Sequence, residues 1–345
     1  MSKYFDFKNN INENDLKIIS KDLKNGKVVI FPTETVYGIG TNGLISNSVK
    51  RIYEIKGRNF TNPINLLVKD INMIESICKD IIPIEYSLMR IFFPGPLTLI
   101  LKKKEIVPDI VTSGNDTVGV RISNNTIVQK LLEYSNVPIS APSANISGKL
   151  SGTNIDSILN DFDNKVDYII DCGNSDLGLE STIVRVIDNI PHILRPGNIT
   201  AEQIKNVCGN VILDYENLPS SNLKHYQIKN KSILFYSNDT NKLFNKIAEY
   251  INQTPNCVIL TYSEHVYFYK KLIHSNNNLY SALNIIDLGS INDLNIVSKN
   301  MFEHLRKAEN FNPDLILIEG VKNVGLGISI MNRFMNICNN NFIEC

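Results

Sequence analysis

Residues 31–40 read Phe-Pro-Thr-Glu-Thr-Val-Tyr-Gly-Ile-Gly, which delivers two hydroxyls, a carboxylate and a phenol into a glycine-bearing turn after a β-branched run. Hydroxyls on the rigid end of a strand, here Thr33 and Thr35, can fix a small polar ligand. Lys56-Gly57-Arg58 follows a stretch of helical spacing, so two cations stand at a helix end, where they suit the helix dipole and can reach phosphate oxygens. Arg121 is flanked by Val118, Val120 and Ile122, and a guanidinium in such a strand requires an anion or another partner. Pro142-Ser143-Ala144-Asn145-Ile146-Ser147-Gly148 comes directly after the apolar run 137–141, where small polar residues let backbone N–H groups and hydroxyls approach phosphate. It is not a Walker A loop, since no Gly-Lys-Ser/Thr stands at the required spacing. Glu180-Ser181-Thr182 and Leu194-Arg195-Pro196-Gly197 again set a hydroxyl or a cation beside a run that should be buried. Each of these turns, taken singly, serves equally well as an ordinary capped turn. Five of them at element ends in one region point to a cavity for an anionic ligand.

The elements that must position these groups alternate between helix and strand. Residues 14–25 carry Leu16, Ile19 and Leu23 at helical spacing before Gly26, and residues 48–55 resume that spacing. The intervening segment after the strand 27–31 reads as a strand-to-helix connection, a common place for a site. Further strands are expected at 64–68, 97–101, 118–122, 166–171 and 182–186, some of them paired directly. Residues 216–230 are polar and aperiodic and read as a linker. Beyond it, apolar runs at 232–236, 257–261, 285–288 and 315–318, each followed by a helical stretch, predict a smaller parallel βαβ domain.

At 345 residues the chain is long enough for two cores. With 35 Lys+Arg against 35 Asp+Glu it is not a chain held to nucleic acid by bulk charge, so any basic site is local. The six cysteines show no Cys-x-x-Cys and no zinc spacing, and read as free thiols in a reducing compartment. The first residues lack an apolar signal core and no run approaches a membrane span, so a cytoplasmic location is expected, with no membrane partner.

Seven segments appear in an order and spacing that resemble the YrdC-like threonylcarbamoyl-AMP synthases in their two-domain form. They are Pro32-Thr33-Glu34-Thr35-Val36-Tyr37-Gly38, Lys56-Gly57-Arg58, Pro94-Gly95-Pro96-Leu97-Thr98, Thr117-Val118-Gly119-Val120-Arg121, Ala141 through Gly148, Glu180-Ser181-Thr182 and Leu194-Arg195-Pro196-Gly197. The resemblance implies an α/β fold: an N-terminal YrdC-like twisted open mixed sheet with helices, and a smaller Rossmann-like βαβ domain. Its divisions would be a catalytic domain over 1–213, a linker over 214–230 and a C-terminal domain over 231–345. It further implies ATP contacts at Lys56, Arg58, Thr117, Ser143, Asn145, Ser151, Arg195 and Tyr226, with Lys56 and Arg58 catalytic. Threonine would be held by Thr33, Thr35, Arg121 and Ser181. Phe93 stands where many relatives have Trp, and keeps the aromatic packing. Leu67 stands where many have His, which removes one polar contact to threonine. Pro219, Lys224, His225 and Tyr226, followed by Gln227-Ile228, form an altered version of the family's linker motif.

The implied reaction joins L-threonine, bicarbonate or CO2 and ATP, accompanied by Mg2+, into threonylcarbamoyl-AMP with release of pyrophosphate. The product passes to the tRNA threonylcarbamoyl transferase machinery, and weak tRNA contact accompanies that role. No metal site of the protein's own is expected, because the sequence offers no carboxylate cluster. Two other readings stand beside this one. Carbamoyl transfer of the hydrogenase-maturation type normally comes with Cys-x-x-Cys motifs, which are absent. A non-catalytic RNA-binding module fits the tRNA connection but not the zero net charge.

Overall fold

A computed structural model describes residues 2–214, 226–275 and 283–345. The chain divides into two compact units, residues 1–147 with 151–223 and residues 148–150 with 224–345.

The first unit contains β1 (Lys3–Asp6), α1 (Glu13–Lys24), β2 (Val29–Phe31), β3 (Gly38–Asn42), α2 (Ser46–Lys56), β4 (Leu66–Leu67), α3 (Ile71–Ile77), α4 (Pro83–Phe92), β5 (Leu97–Lys102), α5 (Asp109–Thr112) and β6 (Thr117–Arg121). It continues with α6 (Thr126–Ser135), β7 (Ile139–Ser140), α7 (Ile155–Phe162), β8 (Tyr168–Asp171), β9 (Thr182–Ile187), β10 (Ile190–Arg195), α8 (Ala201–Cys208) and β11 (Ile212–Leu213). These eleven strands form one mixed sheet in the order β1-β8-β2-β3-β7-β4-β6-β5-β9-β10-β11. Both faces are covered, and the side-chain alternation of β2 shows how. Val28 and Ile30 join the core beneath α2, α4, α7 and α8, whereas Val29 and Phe31 join the second core beneath α1 and α6. A strand buried on both faces reads as a continuous apolar run, which is why it was legible.

The segment expected to be a plain connection after β2 contains a further strand, β3, antiparallel to β2 with Gly38 opposite Phe31 and Gly40 opposite Val29. In Gly-Ile-Gly-Thr-Asn two glycines and an asparagine dilute the strand signal of Ile39 and Thr41, so the pattern concealed it. The glycines are required by close approach. A Cβ on Gly40 would stand 2.7 Å from both the Phe31 ring and the Ile139 side chain. The short edge strand β1 also escaped the hydrophobic pattern.

The second unit holds β12 (Lys231–Tyr236), α9 (Thr240–Gln253), β13 (Cys257–Thr261), α10 (Val266–Ser275), β14 (Asn284–Asp287), α11 (Leu294–Asn310), β15 (Leu315–Glu319), α12 (Leu326–Ile337) and β16 (Phe342–Glu344). Its five strands are all parallel in the order β14-β13-β15-β12-β16. β16, a polar-flanked strand of three residues at the sheet edge, was not expected. Within this unit Tyr226 stacks on Phe302 with ring centroids 5.3 Å apart, and the Arg333 guanidinium lies 5.9 Å from the Tyr226 ring. Pro219, Lys224 and His225 of the expected linker motif lie outside the described residues.

Candidate active site

Helix α2 ends at Lys56, and Gly57 takes the left-handed conformation (φ 59°) that turns the chain back, so the two cations flanking it diverge. Arg58 emerges half-buried. Its Nε donates to the carbonyl of Asn62 (3.0 Å) and its Nη2 to that of Pro63 (2.8 Å), which fixes the guanidinium plane. Burial, with a contribution from Arg195, lowers its pKa to about 10. Lys56 goes the other way. It is 1% exposed, and its Nζ donates to the backbone carbonyls of Ser143 and Asn145 at 2.5 Å each. Burial first, then the neighbouring Arg58, pushes that ammonium well below its ordinary value.

Arg121 closes β6 with 7% exposure. Its Nη1 donates to Thr35 Oγ1 (3.0 Å), and its Nη2 lies 2.6 Å from Glu34 Oε1. That Nη2 contact lacks hydrogen-bond alignment, and Nε has no partner among the described residues. Glu34 is thus the anion that a guanidinium between valines requires. Burial would raise the Glu34 carboxyl, but Arg121 and the hydroxyl of Ser123, which donates to Oε2, hold it below its usual value. The Thr33 hydroxyl is occupied inside its own turn. It donates to the carbonyl of Val36 (2.6 Å) and accepts from the N–H of Thr35 (3.1 Å), while lying 2.9 Å from Thr35 Oγ1.

On the far side of the cleft Ser181 Oγ lies 2.7 Å from Thr98 Oγ1, and Arg195 Nη2 donates to the Ser181 carbonyl (2.7 Å) and hydroxyl (3.1 Å). The third wall is the turn after β7. Ser143 Oγ donates to Asn145 Oδ1 (2.6 Å), and Ala144 N–H donates to the Tyr37 carbonyl (2.6 Å). The Tyr37 hydroxyl, anchored on the carbonyl of Gly173 (2.7 Å) in the core, holds that strand end in place.

Between these walls lies a cavity of about 110 Å³. Of the residues singled out in the sequence, Thr33, Thr35, Arg58, Arg121, Ser143, Ser181 and Arg195 line it. Lys56, Asn145 and Ser151 stand one hydrogen bond behind the wall, through Ser143, Ser143 and Glu180 respectively. Thr117 opens β6, four residues from Arg121 and so about 13 Å along the strand. Tyr226 belongs to the other unit. Tyr37, Asn65, Thr98 and Glu180 also line it, and sequence reasoning assigned none of them a ligand-binding role. Glu180 was visible as part of a motif, whereas nothing in the pattern around Asn65 signals it. Leu67 pairs with Arg121 across β4 and β6 and supplies an apolar patch beside the guanidinium. Phe93 packs partly buried against the main core.

Known proteins match both units. A family described as "Telomere recombination" matches residues 21–197, and "Threonylcarbamoyl-AMP synthase, C-terminal domain" matches residues 199–335. A threonylcarbamoyl-AMP synthase of Pyrococcus abyssi is 36% identical over 332 residues, covering 94% of each chain. The chain belongs to the threonylcarbamoyl-AMP synthase family. The Bacillus subtilis member is 34% identical over 91% of this chain and 90% of its own. Among solved structures, P. abyssi Sua5 complexed with L-threonine superposes with a TM-score of 0.89 at 34% identity and covers both chains completely. The two-unit α/β architecture, a large mixed sheet with a smaller parallel one, is therefore that of the family.

Proposed function

We propose that this chain synthesises L-threonylcarbamoyl-AMP from L-threonine, bicarbonate or CO2 and ATP, releasing pyrophosphate, for threonylcarbamoyladenosine modification of tRNA. The observation that carries the reading is Arg121: a buried guanidinium whose Nε is unsatisfied, on the wall of an amino-acid-sized cavity flanked by two more arginines. An amino-acid carboxylate completes it. Arg58 and Arg195 line the same cavity and are assigned to the phosphates of ATP.

The threonine amine adds to the carbon of CO2 to form a carbamate, and a proton leaves the nitrogen. A carbamate oxygen then attacks the α-phosphorus of ATP as the bond to pyrophosphate breaks. No covalent enzyme intermediate is required. The protein's contribution is to position the reactants and to meet developing charge with Arg58 and Arg195, whose guanidinium planes are already fixed by backbone carbonyls. In this assignment Thr35, Arg121 and Ser181 hold threonine, while Thr33 shapes their turn. Arg58, Ser143 and Arg195 face the nucleotide, with Asn145 and Ser151 bracing them and Thr117 reserved for its outer parts. Residues 1–213 form the catalytic domain, 214–230 the linker and 231–345 the C-terminal domain.

Mg2+ enters with ATP as part of the substrate; among the described residues no three His, Cys, Asp or Glu side chains converge to hold a metal. The product is handed to the tRNA-modifying transferase in the cytoplasm. No described helix is long and apolar enough to cross a membrane. Carbamoyl transfer of the hydrogenase-maturation type and RNA binding without catalysis are not favoured, because relatives covering nearly the whole chain carry the synthase name. Incubation with 13C-bicarbonate, threonine and ATP tests the reading by mass spectrometry. A threonylcarbamoyl adenylate carrying the label is expected, and AMP alone would overturn it.

A further inference from the structure

We infer that Lys56 is a positioning residue that shapes the turn over 143–147, and that it acts on the nucleotide only through that turn. This deepens the adenylylation reading and rests on it for the identity of the nucleotide.

Lys56 grips the turn at three points from one residue. Its ammonium takes the carbonyls of Ser143 and Asn145, and its own carbonyl accepts the N–H of Ser147 at 2.9 Å. With two carbonyls pulled inward to one cation, the turn cannot flip its peptides, and the Ser143 side chain is left on the cavity wall. Lys56 itself does not line the cavity; Arg58, Arg121 and Arg195 do. A fully buried ammonium is costly to desolvate and persists only where its hydrogen bonds are made. Here the carbonyl oxygens of Ser143 and Asn145 supply those bonds, so a move towards phosphate would break both. The neighbouring charges are Arg58, which opposes the ammonium, and Asp161, which supports it. Positioning of this kind differs from direct phosphate contact in one measurable respect. A cation touching the β- or γ-phosphate contributes more to ATP than to AMP, whereas a shaped turn serves any adenine nucleotide equally.

The test uses the full chain with Lys56→Met, which keeps the stem length and removes the donors, and compares it with Arg58→Ala. Affinities for AMP, ADP and ATP are measured by calorimetry, and amide exchange of the peptide spanning 143–147 is followed without nucleotide. For Lys56→Met the expected result is an equal loss for all three nucleotides, at least about tenfold as for a lost charge-assisted hydrogen bond. Exchange at Ala144 and Ser147 should also accelerate. For Arg58→Ala the loss should grow from AMP to ATP. A Lys56→Met loss that rises with phosphate number, or exchange in the turn equal to wild type, overturns the inference. Should the Met variant not fold, Lys56→Gln, whose amide can serve only part of the grip, carries the same comparison. The two levels separate cleanly. A wild-type protein that binds no adenine nucleotide defeats the adenylylation reading, while the exchange experiment still decides whether Lys56 holds the turn.

Discussion

At the scale of single residues the site depends on one buried ion pair. Removing one partner of such a pair leaves the other charge uncompensated, so Arg121→Met should lose about 3–5 kcal/mol of stability and all threonine binding. Replacing both charges should restore much of the stability, because paired removal is often neutral, yet threonine binding should stay lost. Chemical denaturation and calorimetry on Arg121→Met and on Glu34→Gln/Arg121→Met check both halves. A pH dependence follows from the same pair. The Glu34 carboxyl is held below its ordinary 4.5 in the folded protein, so its contribution is fully present above 4.5. It is lost as pH falls from there through the lower folded value, because the unfolded chain takes up the proton first. Below pH 4.5 the wild type should therefore lose stability faster than the double variant, as read from denaturation midpoints at pH 3 to 6; parallel curves would contradict it. Residue types foretold part of this. An arginine between valines announces a need for an anion, but whether Glu34 or a ligand answers it is a three-dimensional fact. Lys56 illustrates the opposite case. Lys-Gly-Arg at a helix end looks like two equivalent cations, and only the left-handed turn at Gly57 sends one to the cavity and one into the core.

At the scale of elements the cavity exists because strand ends approach more closely than side chains would allow. Gly197 is the sharpest instance: a Cβ there would stand 2.4 Å from the Thr182 nitrogen, 2.5 Å from the Glu180 oxygen and 2.6 Å from the Ser181 carbonyl carbon. None of these backbone atoms can give way without moving Ser181, which Arg195 holds. Gly197→Ala should cost about 1–3 kcal/mol, typical of overpacking, and weaken threonine binding at least about tenfold. A crystal structure with Ser181 in place and normal affinity would contradict the prediction. Strands with both faces buried, such as β2, β13 and β15, were legible as apolar runs of fitting length. β3 was not, because its glycines exist to accommodate Phe31 rather than to form a strand, and β1 and β16 were not, because short edge strands carry little apolar signal. Order along the chain also hid how far apart motif members lie: Thr117 and Arg121 share a strand, yet only Arg121 reaches the cavity.

At the scale of the molecule the zero net charge and three inward-facing arginines belong together. Three arginines without a lysine line the cavity while the charges of the whole chain balance, which suits capture of a small anionic substrate better than a long polyanion. The two-unit organisation was readable from the change of pattern near the polar stretch, since the second parallel sheet restarts the βαβ alternation. The central claim, condensation of threonine, bicarbonate and ATP, is tested most directly by pyrophosphate release from the purified full chain with ATP and Mg2+, omitting threonine or bicarbonate in turn and substituting serine. The account predicts release only when threonine and bicarbonate are both present, with serine weaker because it lacks the methyl group that the Leu67 side of the cavity can bury. Release without threonine, or none with all three substrates, would contradict it.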